Sequence, residues 1–142
     1  MMRCLLLQLI LLSCMNGYGQ QKLIIHVYER TEHVCFRKTT IDSTLNDPDI
    51  AYDLDTAHTR YEIDLGKLTS SYYVNDELLS VLPITLFKPS ENLLKISIME
   101  EGFDYGLLVQ TDPFHENVTW FWFLDHQTTV KKISKFYIEK PS

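Results

Sequence analysis

Trp120-Phe121-Trp122-Phe123 is the run of side chains in this sequence best suited to gripping another molecule. A strand turns successive side chains to opposite faces, so the two tryptophans share one face and the two phenylalanines the other. If one face joins a core, the other presents two large rings to a sugar, a lipid or a protein. Covered on both faces, the same run is a central strand. Within a small barrel, Trp120 and Trp122 would line a space for one apolar molecule together with Tyr105 and Tyr137.

A second concentration of chemistry is acidic. Asp42, Asp47, Asp49, Asp53 and Asp55 crowd one segment. Calcium takes six to eight oxygens from such loops, but the spacing is not that of an EF-hand and no glycine makes its sharp turn. Asp47, Asp49 and Asp53 are instead candidates for a contact surface with a protein partner. The histidines, His26, His33, His58, His115 and His126, show no His-x-His or His-Glu-x-x-His spacing. Glu100-Glu101 and Asp125-His126 are acid–base groups at strand ends. Adjacent carboxylates cannot flank a substrate from opposite sides as a glycosidase requires. Glycines are too sparse for a phosphate-cradling loop, and no Gly-x-Ser-x-Gly elbow occurs. The expectation is no catalytic set, no metal centre and no cofactor.

The N-terminal segment has a different character. Arg3 is followed by an apolar run from Cys4 to Leu12, broken only by Gln8, and then by small and polar residues up to Gly19. This order reads as a secretory signal peptide over 1–19. The run is about half the ~20 residues that span a bilayer. Leu11-Leu12-Ser13-Cys14 resembles the lipobox of bacterial lipoproteins. That resemblance implies the alternative of a signal over 1–13 with Cys14 acylated, the one route by which the protein would meet a membrane. Either way the chain is expected to be exported, to the periplasm, the envelope or the outside. Asn117-Val118-Thr119 is a glycosylation sequon, which matters only in a eukaryotic secretory host.

Residues 20–142 suit a single domain. Loss of Arg3 leaves 12 basic against 19 acidic residues, a net charge of −7. That argues against nucleic acid as a partner. Only Cys35 remains in this region, so no intramolecular disulfide can form there and the fold must rest on its apolar core. A lone cysteine between Val34 and Phe36 reads as a half-buried small residue.

The elements that must position these groups are strands, because the dominant period is two. Leu23–Tyr28 and His33–Ile41 read as a hairpin turning at Thr31-Glu32, and Asp42–Asp55 as a long acidic loop. Arg60–Leu65 alternates cleanly, and Ser71–Val74 and Ile84–Phe87 are short strands. Asn75 is placed to cap a brief helix from Asp76 to Leu82, stopped by Pro83. Leu93–Glu100, Tyr105–Thr111, Val118–Leu124 and Thr128–Glu139 form an up-and-down meander, the last strand with a bulge. The chain is expected to be mainly β, an antiparallel β-barrel or β-sandwich with this C-terminal meander and one short helix. The function expected first is a non-enzymatic protein-binding module of inhibitor or immunity type. The alternatives are a barrel carrying a small apolar ligand or lipid, and a small hydrolase without a recognisable motif.

Overall fold

The computed structural model describes residues 22–54, 57–112 and 115–139. Residues 1–19, with both signal readings and Cys14, lie outside them. Among the described residues are nine strands and one short helix: β1 (Lys22–Cys35), α1 (Ile41–Asn46), β2 (Ile50–Leu54), β3 (Thr59–Asp64), β4 (Thr69–Val74), β5 (Glu77–Ser90), β6 (Leu93–Glu100), β7 (Phe103–Asp112), β8 (His115–Leu124) and β9 (Gln127–Glu139). From β3 to β9 each strand pairs antiparallel with the next. β9 then pairs with β1, from Ile24↔Glu139 to Cys35↔Thr128, and closes the sheet into an eight-stranded barrel. The first half of β1 pairs with β3, and its second half carries β2 as an extra strand. Closure leaves no free edge among the eight barrel strands. The fold is thus a barrel, not a sandwich.

The aliphatic core fills one end of the barrel. Ile25, Ile63, Leu94, Ile96, Leu107 and Val109 are wholly inaccessible to solvent and face one another across the interior. They occupy alternate positions of their strands, which is the period the sequence displays.

Three local expectations are corrected. Lys22–Cys35 is one bent strand, not a hairpin. Its register against β9 shifts between Val27 and Arg30, so the strand kinks and continues. The predicted helix over 76–82 is the start of β5. Asn75 and Asp76 have φ of 48° and 68°, the left-handed pair that a tight two-residue hairpin needs. The one helix lies instead inside the expected acidic loop, at Ile41–Asn46, where the Thr40 hydroxyl accepts from the Ser43 amide at 3.1 Å. Ile50–Leu54 of that loop is strand β2. The bulge expected in the last strand is present, where Ser134 is passed over between Ile133 and Lys135.

Candidate functional site

Direct cross-strand partners share a face of the sheet, and one row of them defines the site. Glu32 lies opposite Lys131, Lys131 opposite Trp120, Trp120 opposite Leu107, and Leu107 opposite Ile96. Leu107 and Ile96 are core residues, so Glu32, Lys131 and Trp120 also face the barrel interior. The next row runs Thr129, Trp122, Tyr105, Ile98 and faces inward by the same argument. Arg30 joins them from β1, opposite the core residue Ile133. The strand alternation that buries aliphatic side chains at one end of the barrel thus places aromatic and charged ones at the other.

Two hollows occupy that end. The inner one, of about 250 Å³, is lined by Tyr61, Ser70, Tyr72, Ser80, Leu82, Ile98, Tyr105, Trp120 and Lys131. The outer one, of about 330 Å³, is lined by Glu100, Phe103 and Trp122 together with Tyr105, Trp120 and Lys131. The three shared residues form a common wall. The outer hollow lies by the β6–β7 turn, which Glu100 and Phe103 bracket. Small-molecule sites run from about 300 to 1,000 Å³, apolar in the main with a few converging polar groups, and these two hollows together match that description.

The electrostatics are set by Lys131, which lines both hollows, and by Glu32 and Arg30 near it. The Lys131 ammonium stands 3.9 Å from Glu32 Oε1 and 4.3 Å from the centre of the Trp120 ring. Its side chain is 26% exposed, and burial pushes its pKa down, with Glu32 opposing and Arg30 adding to the shift. The Tyr52 hydroxyl, from β2, donates to Glu32 Oε2. Arg30 Nη1 donates to Thr59 Oγ1 at 3.3 Å, while its Nε is buried without a hydrogen-bond partner. Burial also lifts the phenols of Tyr61 and Tyr105 well above their usual range, so both remain hydrogen-bond donors. Tyr61 keeps some accessible surface, and that surface belongs to the cavity wall. Tyr105 donates to Glu100 Oε1 at 2.6 Å.

The structure brings Trp120, Trp122 and Tyr105 together on the inner wall. Trp120 lies 6.2 Å from Trp122 and 6.3 Å from Tyr105, centre to centre. Tyr137 is elsewhere: it is 58% exposed on the outer surface, opposite His26 and tilted against its ring at 5.9 Å. The bulge in β9 and the pairing with β1 turn Phe136 inward and Tyr137 outward. The aspartates also lie apart from the cavity. Asp49 accepts from the Phe36 amide at 2.7 Å, and Asp53 from the Thr31 hydroxyl at 3.0 Å. The backbone carbonyl of Asp47 accepts from the Cys35 thiol at 3.5 Å.

Phe121 is wholly buried on the outer side of the wall, in register with Val130, also wholly buried. On that side α1 packs against β9 and β1, over a buried layer that includes Cys35 and Thr44. Phe121 is thus packed on the outer side, Phe123 is half-buried there, and the two tryptophans line the cavity. Arg30, Glu32 and Lys131 escape sequence reasoning, because charged residues at alternate strand positions read as solvent-facing. The signal that finds them is register: Lys131 falls two residues from Ile133 on the same face. Among the described residues, no cluster of three or more His, Cys, Asp or Glu side chains is placed to hold a metal ion.

Fold and site together define a closed eight-stranded meander barrel with an aromatic, charged cavity at one end. Comparison with protein-family models, with curated proteins and with solved structures finds no match for the chain.

Proposed function

We propose that this protein is a small-molecule-binding barrel, holding a flat or apolar ligand between Trp120, Tyr105 and the polar groups around Lys131. The observation that carries this reading is the pair of adjoining hollows sharing Tyr105, Trp120 and Lys131 as one wall. A core built for stability alone would fill that space, because voids forfeit dispersion contacts and buried charges cost free energy. Here a lysine, three tyrosines and two serines converge on space that aliphatic side chains would otherwise fill. The protein-binding reading has no comparable support, since Asp49 and Asp53 are engaged in holding β1 to the segment that follows it. Together with the leader reading of residues 1–19, this makes the protein an exported carrier or sensor of a small molecule.

The test is a set of ¹H–¹⁵N spectra recorded while a library of small aromatic and aliphatic compounds is added. Binding at this site moves the indole N–H signals of Trp120 and Trp122 and the amides of Ser70, Ser80 and Lys131. Compounds that leave all of these unmoved, or that perturb only the region of Asp47 to Asp53, would sink the reading.

A further inference from the structure

Taking the cavity to be a ligand site, we infer that its ligand is a small monocarboxylate whose carboxylate sits on Lys131, with its apolar body against Trp120 and Tyr105. The charges around Lys131 do not balance. Arg30 and Lys131 are both on the interior face, and Glu32 is the carboxylate between them in sequence and opposite Lys131 in register. Glu32 is already divided: one oxygen receives the Tyr52 hydroxyl, and the other stands 3.9 Å from Lys131. That distance is an ion pair but too long for a hydrogen bond. The remaining contact of Lys131 among the described residues is the face of Trp120, which attracts a cation but accepts no strong hydrogen bond. Among the described residues Arg30 has one long hydrogen bond, to Thr59, and a buried Nε with none. Lys131 therefore faces the hollows with unspent donors, its nearest carboxylate is already committed, and a second cation, Arg30, lies close by. Buried ammonium and guanidinium groups are stable when an anion completes their hydrogen bonding.

The mouth limits the ligand's charge. Glu100 lines the outer hollow, exposed, with one oxygen accepting from Tyr105. A second negative charge on the ligand would share the outer hollow with Glu100 or stand near Glu32 beside Lys131. A single carboxylate at the inner end with an uncharged ring or chain behind it fits both constraints. A phosphate monoester, carrying close to two charges, does not.

The experiment is isothermal titration calorimetry on the mature protein at neutral pH, with a panel of monocarboxylates each paired with its amide: cinnamate, indole-3-propionate and octanoate. A hydrogen-bonded charge pair is worth about 10- to 100-fold in affinity. At least one acid should therefore bind about tenfold or more tighter than its amide. Lys131→Met should abolish that preference, and Lys131→Arg, which keeps the charge, should retain it. Acids and amides binding equally, or a preference that survives Lys131→Met, would overturn the carboxylate assignment and leave the cavity reading standing. No binding by any acid or amide would overturn both. Should Lys131→Met fail to fold, ¹H–¹⁵N spectra of the native protein in which an acid and its amide shift the Lys131 signals equally would overturn the assignment.

Discussion

The ammonium of Lys131 lies 4.3 Å from the centre of the Trp120 ring, and the two residues are direct partners across β8 and β9. A ligand that enters the cavity must touch both, since both line its inner and outer parts. The chain has two tryptophans, and both are on this wall. Intrinsic fluorescence is thus a direct reporter: ligand should shift or quench the emission, most of the change should disappear in Trp120→Phe, and a part should remain in Trp122→Phe. An unchanged response in Trp120→Phe would place the ligand elsewhere.

Burial holds the Lys131 pKa below the ordinary lysine value. A depressed pKa means that the folded state binds this proton more weakly than the unfolded chain. Its contribution to stability therefore improves as pH rises from the folded value toward the ordinary one, and Lys131→Met should flatten that part of the stability–pH profile. An anion in the cavity reverses the preference, because it favours the charged amine. Affinity for a monocarboxylate should fall as pH rises through the folded pKa, and binding in that range should take up protons. Calorimetry in two buffers of different ionisation enthalpy measures the uptake; an amide ligand should show none.

Gly106 lies against the backbone of β6 with no room for a side chain. A β-carbon there would stand 1.9 Å from the Ile96 carbonyl oxygen, a backbone atom that cannot swing aside. Gly106→Ala should cost about 3 kcal/mol or more in urea denaturation, at the upper end of overpacking penalties. Gly102, in the β6–β7 turn, makes the contrast. Its φ is +84°, and an added methyl would meet nothing within 4 Å. Gly102→Ala should cost only about 1 kcal/mol, through backbone conformation alone.

The short helix α1 is held by a single N-cap. Thr40→Ala removes the acceptor for the Ser43 amide and should destabilise the helix by about 1 kcal/mol. Cys35 is wholly inaccessible on the side of the wall that α1 covers, and its thiol donates to the Asp47 carbonyl just past the helix. Thiol labelling of residues 20–142 should be slow in the native protein and faster in Thr40→Ala, at rates that follow local opening. Equal rates would mean that Cys35 is reached by a path independent of α1.

Much of the barrel was legible because its buried face is aliphatic and strictly alternating. Leu94, Ile96 and Ile98, or Ile63 and Leu65, announce their strands without help from distant residues. Legibility failed where the interior stops being aliphatic. Arg30 and Glu32 point into the barrel, so the alternation in β1 looks broken there and a turn is read at Thr31-Glu32. It failed again on β5, where Leu79 and Val81 are 56% and 52% exposed on the outer wall and blur the pattern into an apparent helical stripe. α1 was hidden because Asp42, Ser43, Thr44 and Asn46 favour caps and turns over helix interiors. For the site, the Trp120 and Trp122 pair was visible from parity, but Lys131 was not. Its role depends on a register across three strands that no local pattern encodes.

On the proposed reading, the space beside Trp120 and Lys131 holds a ligand. The most direct measurement is native mass spectrometry of the protein, isolated gently from its own source, beside a Ser80→Phe variant whose ring would fill the inner hollow. The account predicts one small organic molecule on the native protein, released on unfolding and absent from Ser80→Phe. Bare polypeptide mass for both proteins, persisting after incubation with the acid and amide panel, would contradict it.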